Sequence, residues 1–129
     1  MIPGHVVTDL CQLGRLGESG SPEGLAILKR LAPWGEVNRR HWRSWNSVTD
    51  GLDVAELANL VRGLLLTEES LRPWSSGSVS GVIWTYMALE KRNLDAAAAV
   101  AEWGSDKTTN SYVPFRRSAA RTRGDFSTD

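Results

Sequence analysis

The run from Asp53 to Leu66, DVAELANLVRGLLL, constrains the fold more than any other part of the chain. Asp53 can accept a hydrogen bond from the free N–H groups of a first helical turn. Glu56, three residues on, can reach back to the Asp53 N–H, a carboxylate form of the capping box. Val54, Leu57, Ala58, Val61, Leu64 and Leu65 follow at three- and four-residue spacing, which on a helix makes one apolar stripe. Such a stripe is stable only when something covers it, so the sequence predicts a packed helical domain.

Further helices are marked by their ends. From His5 to Leu16, Val6, Val7, Leu10, Cys11, Leu13 and Leu16 recur at mostly helical intervals, and Gly17 reads as the stop. Ser21 reads as an N-cap and Pro22 as the first residue of a helix reaching Ala32, with Leu25, Leu28 and Leu31 on one side. Residues 32–51 have no sustained period and read as a long connection, with a short helix around Val37 to Trp45. After Pro73 and its Gly/Ser run, Ser78 or Ser80 can cap a helix reaching Arg92, with Val79, Val82, Ile83, Tyr86 and Met87 on one face and Trp84 and Ala88 on a flank. The β-branched and aromatic residues at 82–86 make a strand the competing reading there. Asn93 can cap a last helix, Leu94 to Trp103, and Gly104 ends it. Beyond it, Asn110 to Phe115 reads as an extended segment laid over the helices and anchored by Tyr112, Val113 and Phe115. The expected architecture is all-α: about five helices in antiparallel pairs within one domain, residues 1–115, followed by a flexible Arg-rich tail, 116–129.

Composition narrows function mainly by exclusion. Fifteen basic and fifteen acidic side chains cancel, so no global field steers the chain toward nucleic acid or an anionic membrane. One cysteine, Cys11, excludes an internal disulfide and a cysteine zinc cluster. The two histidines, His5 and His41, are far apart in sequence, and the carboxylates form no ligand-like cluster, so no metal site or cofactor is expected. No apolar run approaches the ~20 residues needed to cross a bilayer, and the N-terminus lacks a signal-peptide pattern. The expected location is therefore cytoplasmic.

The stretch LGRLGESGSPEGLAILKRLA, Leu13 to Ala32, resembles the helix-turn-helix unit of HEAT-like repeats, in which an apolar helix ends in a Gly-rich turn followed by Ser or Asp with Pro. The resemblance covers about twenty residues and implies helix stacking of the kind that mostly builds binding surfaces. The later helices do not recur at one clear period, as a full repeat array requires.

The most suggestive chemistry is Arg39, Arg40, His41, Trp42 and Arg43, with Trp45 following. Alternating cations and indoles suit a partner surface, because guanidinium forks and aromatic rings anchor interfaces. They also suit nucleic acid, where the forks hold phosphates and the rings stack on bases. The bland alternative is a short helix with its tryptophans inward and its arginines in water. Arg116, Arg117, Arg121 and Arg123 form a second basic group able to add phosphate affinity. Of the six tryptophans, Trp84 and Trp103 read as core and Trp34 and Trp74 as plugs at helix exits, leaving Trp42 and Trp45 as the interface pair. Trp74 to Gly81 precedes a helix and could receive an anion, but lacks the Lys of a P-loop. Ser, His and Asp residues are present without a spacing that asks for catalysis. The reading that follows is a non-catalytic protein-binding module of the accessory, adaptor or inhibitor kind. Nucleic-acid binding through 39–43 and 116–123 is the alternative, a small enzyme the third reading, and a symmetric homodimer an open option.

Overall fold

The computed structural model describes residues 1–116; Arg117, Arg121 and Arg123 lie outside them, as does all of the proposed tail except Arg116. Six α-helices are present among the described residues and no strand: α1 Gly4–Leu16, α2 Pro22–Leu31, α3 Trp42–Asp50, α4 Val54–Ser70, α5 Gly81–Arg92 and α6 Leu94–Gly104. A 3-10 segment, Ala32–Arg39, joins α2 to α3, and two 3-10 turns, Arg72–Trp74 and Gly77–Val79, join α4 to α5. The count exceeds the expected five because the connection at 32–51 is itself ordered. Its helix begins at Trp42, later than the pattern suggested, where the His41 ring nitrogen accepts from the Arg43 N–H at 3.2 Å.

The boundaries follow the capping chemistry. Ser21 accepts from the Gly24 N–H (3.0 Å), Asp53 from Glu56 (2.8 Å), Ser80 from Val82 (3.1 Å) and Asn93 from Ala96 (2.9 Å). Each satisfies a first-turn donor that the helix cannot bond internally. The return bond of a capping box from Glu56 to the Asp53 N–H is not formed among the described residues. Gly17 ends α1 at φ 74°, a left-handed conformation that glycine adopts without steric cost. Residues 81–92 are helical, which removes the strand alternative. Val79 falls before α5 and is exposed, as are Leu25 of α2 and Met87 of α5, so three members of the expected apolar faces are not core.

α4 is the spine. Leu57, Ala58, Leu60, Val61, Leu64, Leu65 and Leu66 are all buried, more than one stripe can account for, because the helix is covered on several sides. α1 crosses it on one side at backbone contact. A Cβ at Gly14 would collide with the Asn59 carbonyl, and one at Gly63 with the Leu10 carbonyl. α5 and α6 pack on α4 elsewhere, and α3 rests on α5. Cys11 is buried against α4, its thiol donating to the Glu56 carbonyl at 3.6 Å, and burial pushes its pKa up to about 11. That is an inert core thiol.

Trp74 fills the gap where the chain leaves α4: it is fully buried and its indole N–H donates to the Leu31 carbonyl at 2.9 Å, closing the exposed end of α2. Trp34, the other expected plug, is only half-buried, edge-on to the His5 ring. The C-terminal segment is not extended. Asn110 accepts from the Tyr112 N–H (3.0 Å) and turns the chain, leaving Tyr112 exposed while Val113 and Phe115 are buried. Trp74→Ala is expected to lower the unfolding free energy by about 3–5 kcal/mol, the usual cost of emptying a buried tryptophan site. Trp34→Ala should cost clearly less; equal losses in urea denaturation would contradict this placement.

Candidate protein-binding groove

Trp42 and Trp45 stand three residues apart on α3 yet have opposite fates. Trp45 is fully sealed, which removes it as an interface residue. The reason lies on α5: Gly81 has no side chain, and a Cβ there would sit 2.8 Å from the Trp45 ring. The indole occupies the space that any other residue at 81 would fill. Trp42, by contrast, is 41% exposed.

Trp42 forms one wall of an open groove of about 520 Å³ between α3 and α5. From α3 come Trp42, Asn46, Thr49 and Asp50; from α5 come Trp84, Met87, Ala88, Lys91 and Arg92. Met87 is 43% exposed and Trp84 half-buried, so large apolar side chains are open to the groove beside the charged Asp50, Lys91 and Arg92. Arg92 fixes the two helices to each other by donating to the Thr49 carbonyl (3.0 Å) and the Leu52 carbonyl (2.7 Å) at the C-terminal end of α3. Arg43 lies over the Trp42 ring, 5.1 Å from its centroid, holding the indole by a cation–π contact.

The expected cation–aromatic cluster is therefore only partly a surface site. Arg39 donates to the Pro73 carbonyl at 2.9 Å, and Arg40 forms a two-pronged pair with Glu36 (3.0 and 2.9 Å). His41 is the α3 cap, with its ring beside Trp42. Of the cluster, Trp42 alone combines exposure with a place in the groove lining, with exposed Arg43 over its ring. Arg116 is half-buried at the end of the described residues, so whether 116–123 shares a face with 39–43 is decided outside them. Trp84 and Trp103, expected as core, are both half-buried. The groove residues Trp84, Met87, Ala88 and Lys91 were not singled out as a site, although their i, i+3, i+4, i+7 spacing is an anchor pattern readable in the sequence.

A second feature is a buried polar node. The Asn38 side chain, fully buried, donates to Glu68 (2.9 Å) and to the Trp74 carbonyl (2.6 Å) and accepts from the Gly81 N–H (2.9 Å). Asn110 donates to Glu68 (3.4 Å) and to the Gly77 carbonyl (3.0 Å). The node joins the 3-10 segment, α4, the α5 entry and the C-terminal turn. The Gly81, Val82 and Ile83 N–H groups are bonded to Asn38 and Ser80, so the first turn of α5 has no free donors to offer an anion. Among the described residues no His, Cys, Asp and Glu cluster could hold a metal, and no helix is long and apolar enough to cross a membrane. No family model, curated protein or solved structure matches the chain.

Burial pushes the Glu68 carboxyl above its ordinary 4.5, against hydrogen bonds from Ser80, Asn38 and Asn110 that favour the charged form; the neighbouring Glu69 adds to the rise. A carboxyl that binds its proton more tightly when folded stabilises the fold below the unfolded-state value. That contribution is lost as pH rises through the folded-state value. The Glu68 contribution to stability should therefore fall as pH climbs from about 4.5, the unfolded-state value. The Glu68→Gln variant should lack that component of the slope. Identical pH profiles from chemical denaturation would show that Glu68 is not held this way.

Proposed function

We propose that this chain is a non-catalytic protein-binding module, of the accessory, adaptor or inhibitor kind, whose contact surface is the α3/α5 groove. The observation that carries the reading is the pairing of exposed Trp42 and Met87 with half-buried Trp84 in one concavity. Partly exposed indoles and a thioether, flanked by charges, are the composition of an interface centre with a polar rim. Of the expected cluster only Trp42 lines this groove, and Trp84 and Met87 of α5 join it in place of Arg39, Arg40, His41 and Trp45. In this reading α1, the Gly17 turn and α2 form a single HEAT-like hairpin that serves as scaffold. Nucleic acid is the weaker reading, because Arg39 and Arg40 spend their guanidinium groups on Pro73 and Glu36.

Capture of partners from the host by the full chain, compared with Trp42→Ala and Met87→Ala, tests the proposal. Truncating a central anchor typically costs ~2 kcal/mol or more of binding, roughly 30-fold. Both variants should lose the partner while keeping the wild-type helical circular dichroism. Retained capture by both would remove the groove from the account. For nucleic acid, a mobility shift that weakens steeply with salt would favour the alternative instead.

A further inference from the structure

α3 carries its charges against its own dipole. Arg43 is in the first turn, where the helix end is positive, and Asp50 is the last residue, where it is negative; the helix has no acid in its first turn and no base in its last. Neither residue is in an ion pair among the described residues. Arg43 and Asp50 are seven apart, so they lie on one face of α3; Asp50 lines the groove, and Arg43 lies over the ring of Trp42, which also lines it. This placement is unfavourable to the helix itself; Asp50 shares the groove lining with Lys91 and Arg92, and Arg43 and Asp50 are both exposed and so open to an outside counterpart with the opposite order of charge.

A second copy of the same chain, turned end for end, supplies that order. Trp45 packs at Gly81, the first residue of α5, and Thr49 at Arg92, the last, so α3 and α5 run in the same general direction and the groove has two distinct ends. A twofold rotation across the groove sets the Arg43 end of one α3 against the Asp50 end of the other, twice over, and opposes the two helix dipoles. The α5 stripe suits the same operation: Trp84, Met87, Ala88 and Lys91 sit at i, i+3, i+4 and i+7, with small Ala88 allowing close approach. Isologous contact requires a patch that complements itself. Equal numbers of acidic and basic side chains leave no net repulsion between copies. We propose that the α3/α5 groove docks a second copy of this chain in antiparallel register, with Arg43 of each copy paired to Asp50 of the other. The inference rests on the protein-binding reading above and names its partner.

Sedimentation equilibrium of the full chain over ~10–100 μM, the range in which modest interfaces assemble, tests it. The wild-type should reach twice the chain mass. Arg43→Asp and Asp50→Arg should each weaken assembly by at least about tenfold, and the double reversal should restore it to within a few-fold. Each single change moves α3 toward the charge order that its dipole favours, so lost assembly cannot be ascribed to a weakened helix. A chain monomeric throughout, single variants that assemble like wild-type, or a double variant that fails to recover would each overturn the proposal. A monomer that still captures another protein through Trp42 overturns self-pairing alone. A dimer indifferent to Trp42→Ala, with capture equally indifferent, overturns the groove itself.

Discussion

Gly14 and Gly63 let two helix backbones touch, and the rest of the fold is arranged around that crossing. Glycine within a helix costs about 1 kcal/mol relative to alanine, so two mid-helix glycines are a local loss. The loss is offset because α1 comes close enough to α4 for Leu10 and Leu13 to be fully buried beside Leu57, Leu60 and Leu64. Such close packing gathers many small dispersion contacts that a wider separation would forfeit. α4, held on that side, is left with its remaining faces free to receive α5 and α6.

The chain leaving α4 is anchored by polar groups as much as by apolar ones. Trp74 fills space and bonds Leu31, and the Asn38–Glu68–Asn110 node ties the 3-10 segment, α4, the entry of α5 and the C-terminal turn together. Buried amide and carboxylate groups are tolerated because each finds a partner within bonding distance. Through Asn38 and the Gly81 N–H, the node also fixes the first turn of α5. That turn is where Trp45 is received, and once Trp45 is inside, Trp42 is left outside. The groove is thus a consequence of how the interior is completed.

How much of this was legible in the sequence depended on the range of the interaction. Caps act over two or three residues, so Ser21, Asp53 and Asn93 could be read directly, as could the Gly17 stop, while Ser80 was one of two candidates with Ser78. The helical stripes were legible too, although Leu25 and Met87 show that a stripe predicts a face and not what covers it. Trp45 was misread because its burial depends on the missing side chain of Gly81, thirty-six positions away. Arg39 reaches Pro73, thirty-four positions away, which spacing cannot reveal, whereas the Glu36–Arg40 pair has the four-residue spacing of a helical ion pair and was legible. The Asn38–Glu68 pair is thirty residues apart with no local signature. Gly14 and Gly63 carry a signal of their own: glycine inside a strongly periodic helix reports a close approach, here of α1 to α4.

The account stands on the α1–α4 crossing, and alanine at its two glycines measures it most directly. Alanine favours the helix, so in an open position it should be neutral or stabilising; Gly4, whose Cβ would meet nothing within 4 Å, is the control. At Gly14 and Gly63 the added methyl meets a carbonyl of the facing helix. Equilibrium denaturation should show each variant less stable than wild-type by about 1–3 kcal/mol or more, the scale of overpacking a close-fitted core. Gly14→Ala and Gly63→Ala proteins as stable as Gly4→Ala would contradict it.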